Sequence, residues 1–507
     1  MAPVIRIIFW DDHSPLRADR LVNSTHILRE VLVTDLINLM NDLLWGSILV
    51  YLLVGVGIYF TVRLGFIQFR HFGHMFSVLR NSRKSDQSGI SSFQALCTSL
   101  AARVGTGNMA GVAVALTLGG PGAIFWMWMT AMLGMATSFA ESTLAQLYKT
   151  RDRDGNYRGG PAYYMEKGLG MRWMGVLFSI FLIIAFGLVF NAVQANSISS
   201  AMHTAFGFDP LYVGIAIVLI SSFVIFGGIR KIARTAELIV PIMALAYILI
   251  AMVVVILNIE KLPSVLSLVF RSAFGLEQAA AGGLGYAIAQ AMIHGVKRGL
   301  FSNEAGMGSA PNAAASATPY PPHPASQGYV QMLGVFVDTI VICSATVAII
   351  LMSGEYVPHG EITGIELTQR ALSSQVGDWG SIFIALAIFF FAFTSIIANY
   401  SYAETNLIFL EHNNKKGLVV FRMIVLGMVM FGSLATLPTV WSMADVTMGL
   451  MAIVNLIAIL LLSGTVVKLA KDYNRQLKAG KLPTFDANDY PELKSQLEDG
   501  IWDSKSK

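Results

Sequence analysis

Hydrophobic residues in this chain come in long unbroken runs. LIVPIMALAYILIAMVVVILNI, residues 238–259, is one such run, and ten others resemble it in length. Runs of about twenty apolar residues fit membrane-crossing helices and not the alternating pattern of barrel strands. The pattern predicts eleven spans, over 43–62, 93–118, 121–148, 173–203, 211–227, 236–258, 283–309, 328–352, 380–410, 418–437 and 443–467. The fold class is therefore all-α and polytopic.

The polar residues between the runs orient them. If the first span runs inward from outside, the loops after spans one, three and five hold five, six and three Lys or Arg, and the C-terminal tail holds eight. The five outside loops together hold three. That bias places the N-terminus outside and the C-terminus in the cytoplasm.

Residues 1–42 form an extension, with four arginines before residue 40 and no apolar core of a signal peptide. It reads as an external amphipathic arm or as sequence ahead of a start at Met40. The polar tail, 471–507, is expected to be a solvated, partly disordered end.

Setting the first span aside, ten spans remain within a transporter domain over 43–470. They divide into two sets of five, 93–258 and 283–467, and an odd number per set gives the second the opposite orientation. Each set opens on an interrupted helix. The first contains RVGTGN (103–108), and the second reads GLGYAIAQAMIHGVKRGLFSNEAGMGS (283–309). Paired interruptions in inverted halves point to the binding site of a secondary transporter.

A broken helix frees N–H and C=O groups that are costly in hydrocarbon unless something binds them. Freed N–H groups suit a carboxylate and freed carbonyls a small cation. Gly105 and Gly107 let a ligand approach the backbone, and Asn108 adds a polar side chain. Small residues also serve close helix packing, but the arginine and asparagine in the same turn weigh against packing alone. GTGNMAG has GxGxxxG spacing and no preceding strand, which excludes a phosphate loop.

Composition adds that the 507 residues are 55% hydrophobic and only 13% charged, against about 25% charged in soluble domains. Cys97 and Cys343 lie in apolar runs and read as small core residues. Charges inside spans are functional suspects: Arg103, Glu141, Lys297, Arg298, Glu304, Asp338 and Glu404. Arg103 and Glu304, on the cytoplasmic side of the two breaks, are candidates for an inner gate or for gluing the bundle. Glu141 and Asp338 are candidate partners for Lys297 and Arg298, a pairing that the sequence alone does not assign. In the ninth span, FFFAFTSIIANYSYAET, Thr394 and Ser395 are cation-ligand candidates set against simple back-bonding to the preceding turn. Asn191, Gln194 and Asn196 interrupt the fourth span, with Gln194 the favoured substrate contact.

The segments SFQALCTSLAARVGTGNMAGVA, GGPGAIFWMW, ATSFAESTLAQLYK, GGPAYYM, VQANSI and GLFSNEAGMGSAPNAAA together resemble the alanine or glycine:cation symporter family over about residues 44–470. That resemblance implies a LeuT-like five-plus-five inverted repeat with one extra N-terminal helix. It implies uptake of a small neutral amino acid coupled to Na⁺, or less often H⁺, across a bacterial inner membrane, with no cofactor besides the coupling ion.

By the same likeness, the N–H groups of Thr106 and Gly107 would hold the substrate carboxylate. Carbonyls of Ala101 and Val104 with the hydroxyls of Thr394 and Ser395 would hold sodium, and Gln194 would line the amino-acid pocket. Many members carry Trp where this chain has Asn399, which opens the alternative of a bulkier polar substrate such as glutamine. A channel would need a continuous polar pore. An enzyme would need a nucleophile–base pair or metal ligands, and His203 and His294 stand in no such setting. No partner beyond amino acid, Na⁺ and lipid is implied, nucleic acid is not expected, and the oligomeric state is left open.

Overall fold

The computed structural model describes residues 35–276, 284–411 and 415–503. The extension up to residue 34 lies outside the described residues. Among the described residues eight helices are long and apolar enough to cross a membrane: 35–63, 122–147, 172–206, 228–257, 325–353, 379–410, 416–434 and 437–461. The three other expected spans fall short of that criterion for physical reasons. Two are broken by glycine and charge, and the third, Pro210–Ile225, is a short apolar helix.

The elements needed below are α1 (Leu49–Arg63), α2 (Ser92–Arg103), α3 (Val112–Gly119), α4 (Gly122–Leu147), α5 (Phe190–Phe206), α6 (Pro210–Ile225), α7 (Gly228–Leu257), α8 (Leu284–Asn303), α9 (Ala325–Val335), α10 (Ser344–Ser353), α11 (Trp379–Glu411), α12 (Lys415–Leu434), α13 (Leu437–Leu461) and α14 (Ser463–Lys478). Helix α7 shows how the sequence divides lipid from protein. Leu238, Ile242, Leu245, Leu249, Met252 and Ile256 are exposed, whereas Ala236, Val240, Tyr247, Ala251 and Val254 are buried. The exposed series advances by three or four residues and the buried one by three, four or seven, so one stripe faces lipid and the other faces the bundle.

The first broken helix begins with a capping box. Ser91 Oγ accepts from the Gln94 N–H at 3.1 Å, and the Gln94 side chain accepts from the Ser91 N–H at 3.1 Å. Helix α2 ends at Arg103, Val104 is extended, Gly107–Gly111 forms a wide turn, and α3 continues outward. The second broken helix is α8, interrupted after Asn303 and resumed as the short helix Pro311–Ala315. At the start of the first and the end of the second the two are stitched together: β1 (Ile90–Ser91) pairs in parallel with β2 (Ala317–Thr318).

The tail departs from the expected solvated end. Up to residue 503 it packs across the face that carries this strand pair. The Phe485 N–H donates to Pro322 O at 3.0 Å, and the Trp502 indole donates to Leu147 O at 3.1 Å. Phe485, Leu493 and Trp502 are buried, and the surrounding charge masks these three anchors in any averaged polarity. Beneath them Lys149 donates to Ala317 O at 2.9 Å and lies 3.9 Å from the Tyr157 ring centroid. Burial pushes its ammonium down to about 7. His71, bonded to the Tyr329 hydroxyl at 2.7 Å, is likewise lowered by burial, to about 4.

Candidate transport site at the two broken helices

The first break is held by side chains from α5 and α11. The Thr106 N–H donates to Gln194 Oε1 at 3.0 Å, and the Thr106 hydroxyl donates to the same oxygen at 2.8 Å. The Gly105 N–H donates to Asn108 Oδ1 at 2.9 Å. On the other side of the break, Ser395 Oγ lies 2.7 Å from Ala101 O, 3.5 Å from Val104 O and 3.0 Å from Phe391 O. Three of the four groups expected around a cation, Ala101 O, Val104 O and the Ser395 hydroxyl, therefore meet here. Thr394 is the one turned aside, because its hydroxyl donates to Phe391 O at 2.9 Å in its own helix.

Asn108 ties the break to a buried carboxylate. Its Nδ2 donates to Asp338 Oδ1 at 2.7 Å and to Ser302 Oγ at 3.1 Å. Asp338 Oδ2 also accepts from Ser302 at 2.6 Å and from Thr339 at 2.7 Å. Asp338 is thus satisfied by neutral donors from both broken helices and its own span. The second break is fixed separately. Glu141 accepts from the Gly306 N–H at 3.3 Å and from Asn455 at 2.9 Å, while Asn455 also donates to Gly306 O at 2.9 Å.

Asn399, on the same helix as Ser395, donates to Asn191 Oδ1 at 3.2 Å, and its own Oδ1 is buried without a partner. Asn191 itself donates to Gly187 O, and Asn196 to Gly432 O and Ala435 O. Gln194 alone of these three reaches the break. Phe190, Phe301 and Trp441 form an aromatic wall beside it, with centroid spacings of 4.6 Å for Phe190–Phe301 and 4.6 Å for Phe301–Trp441.

The ion pairs correct one expectation. Lys297 and Arg298 pair with neither Glu141 nor Asp338; both meet Asp445 on α13, Arg298 through both carboxylate oxygens and Lys297 at 3.4 Å. Arg298 also lies 4.3 Å from the ring of Trp441, on the same helix as Asp445. Asp445 was missed because it sits singly in the run WSMADVTMG, although an aspartate in an apolar span is itself the signal. Glu404 pairs with Arg158 at 3.1 Å and Arg422 at 3.7 Å. Among the described residues Arg103 and Glu304 form no ion pair with each other. Both are buried, Glu304 accepting from Ser309 and Arg103 donating to Gln331 O at 3.4 Å.

The sequence profile of the sodium:alanine symporter family matches residues 30–487. The chain belongs to that family. The uncharacterized transporter YaaJ of Escherichia coli is 50% identical over 472 residues, covering 93% of this chain and 99% of YaaJ. A probable sodium/glutamine symporter of Bacillus subtilis, GlnT, is 52% identical, covering 90% of this chain and 93% of its own. Among solved structures, the crystal structure of MhsT in complex with L-phenylalanine superposes with a TM-score of 0.56 at 14% identity, over 76% of this chain and 93% of that one. That likeness shows the fold, the LeuT-like scaffold that the family resemblance implies. As a family member, this protein is a multi-pass secondary transporter coupled to sodium.

Proposed function

We propose that the protein carries a small neutral amino acid of the alanine and glycine class into a bacterial cell together with Na⁺. The carrier sits in the inner membrane with its N-terminus outside and its C-terminus in the cytoplasm. The observation that carries this reading is the convergence of Ser395 on Ala101 O and Val104 O while Gln194 meets Thr106 across the same break. Carbonyl and hydroxyl oxygens suit a hard cation. The N–H groups of Thr106 and Gly107, at the start of the outer half-helix, suit the carboxylate of an amino acid.

Asp338 supports the same reading, since its negative charge, shared through Asn108, favours a cation near the substrate. Co-binding of ion and amino acid then biases the two broken helices toward rearrangement against the scaffold. An inward Na⁺ contributes about 2.3 kcal/mol per 100 mV of membrane potential, and the zwitterion adds no electrical cost. The cargo leaves chemically unchanged, and its flux saturates.

The two adjacent hydroxyls separate by their geometry. Ser395→Ala removes the oxygen that touches Ala101 O and is expected to raise the Na⁺ concentration for half-maximal alanine uptake about tenfold, the equivalent of about 1.4 kcal/mol. Thr394→Ala, whose hydroxyl only back-bonds, is expected to stay within about twofold. Equal effects from both would contradict the assignment of Ser395 to the ion.

A second reading, glutamine as cargo, is favoured by the buried, unpartnered Oδ1 of Asn399, an acceptor suited to a substrate amide N–H. The sodium/glutamine name of the B. subtilis relative agrees with it. On this reading glutamine competes with labelled alanine in the wild type, and Asn399→Trp weakens that competition at least about tenfold while sparing alanine. An unchanged competition profile in Asn399→Trp would remove Asn399 from the pocket.

A further inference from the structure

Arg103 is the last residue of α2, one position before the break. A helical Cβ leans toward the helix N-terminus, which for α2 is the cytoplasmic end, so the guanidinium projects below the site toward the inside. Space is cleared for it: a Cβ at Gly334 on α9 would stand 2.4 Å from Arg103 Nη1. Yet this charge, 1% exposed, is poorly satisfied. Nη1 makes one long bond to Gln331 O, and Nε and Nη2 have no partner among the described residues. The Gln331 amide nitrogen and oxygen and the Tyr402 hydroxyl are also buried and unpartnered. Glu304, at the second break, and Tyr402 lie within electrostatic reach of Arg103, as do Glu141 and Asp338, whose carboxylates are already held by the hydrogen bonds described above.

A buried guanidinium so sparsely hydrogen-bonded is too costly to be kept for packing alone, and the orphaned atoms of Gln331 and Tyr402, with the Glu304 carboxylate that Ser309 already contacts, are of complementary kinds. Guanidinium and phenol offer donors, Glu304 offers a carboxylate, and Gln331 offers both. An α-amino acid zwitterion presents the matching pair, a carboxylate and an ammonium. A gate made by Arg103 with Glu304 would need them to touch, which they do not. We propose that Arg103, Gln331, Tyr402 and Glu304 form a release-side station for the transported amino acid. Its carboxylate rests on Arg103 and the Tyr402 hydroxyl, and its ammonium faces Glu304, after it leaves the site at Gly105–Asn108. The station rests on the amino-acid symport reading and adds a second binding site to it.

The test uses the full chain in oriented proteoliposomes and measures half-saturation by alanine from each side. Arg103→Gln and Tyr402→Phe are each expected to raise the cytoplasmic-side value about tenfold, the size of one lost charge-assisted contact, and to leave the external-side value within about twofold. Tyr402→Phe is the sharper variant, because it removes a hydroxyl that bonds nothing in the protein and a purely structural role predicts no change. Unchanged cytoplasmic half-saturation in well-folded Tyr402→Phe, or equal shifts on both sides in both variants, would overturn the station while leaving symport intact. A wild type that accumulates no alanine, glycine or glutamine under a Na⁺ gradient would overturn the symport reading, and the station with it.

Discussion

Gly105→Ala is expected to lower the kcat/KM of sodium-driven alanine uptake by about a hundredfold or more while leaving a folded, monodisperse protein. A methyl at this position would stand 2.5 Å from Ser395 Oγ and 2.7 Å from Gln194 Oε1. Neither neighbour can yield freely. Ser395 is held by Ala101 O and Phe391 O, and Gln194 by two bonds from Thr106. The methyl therefore displaces the proposed ion ligand, the proposed substrate contact, or both, and a misplacement of about 1 Å in such a site costs about a hundredfold. The surrounding helices keep their packing, so yield and dispersity in detergent should hold. Uptake within about threefold of wild type would show that cargo does not bind against this stretch of backbone.

Asp445→Leu should cost more in folding than any substitution at the break. Asp445 is the shared counter-charge of Lys297 and Arg298, which are buried. Removing one partner of a buried ion pair typically costs about 3–5 kcal/mol, because the remaining charge is left uncompensated. Here two cations are stranded, so the recovery of folded protein in detergent is expected to collapse. Replacing the whole triad, Lys297→Met with Arg298→Met and Asp445→Leu, should restore recovery, since apolar groups of similar volume fill such sites without a charge penalty. Normal recovery of the single variant would mean that water, and not Asp445, satisfies the two cations.

Much of this architecture is written plainly in the chain, because a membrane imposes length and polarity on every helix. The paired interruptions at RVGTGN and FSNEAGMGS carry the transporter class for the same reason: a break in hydrocarbon is too costly to be incidental. Gln194 is legible as a polar residue on a buried face, and Thr394–Ser395 as a hydroxyl pair. Which of the two hydroxyls turns to the break depends on the rotation of α11, which no spacing along one helix reports.

Partners across helices are less legible. Lys297 and Arg298 meet Asp445 on α13, a partner that a sequence without the fold in view does not assign. The tail misleads differently. Its polarity is real, but three buried side chains, Phe485, Leu493 and Trp502, suffice to dock it. Asn108 reads from sequence as a polar residue of the site, whereas its bond to Asp338, 230 residues away, is visible only in three dimensions.

The central claim is most directly tested by uptake of radiolabelled alanine into proteoliposomes under an imposed inward Na⁺ gradient, competed by glycine, serine and glutamine. Accumulation above the outside concentration that saturates, collapses when the Na⁺ gradient is dissipated, and is blocked by a small neutral amino acid is the predicted result. Accumulation that ignores Na⁺ and follows a proton gradient alone would contradict the ion site at Ala101, Val104 and Ser395.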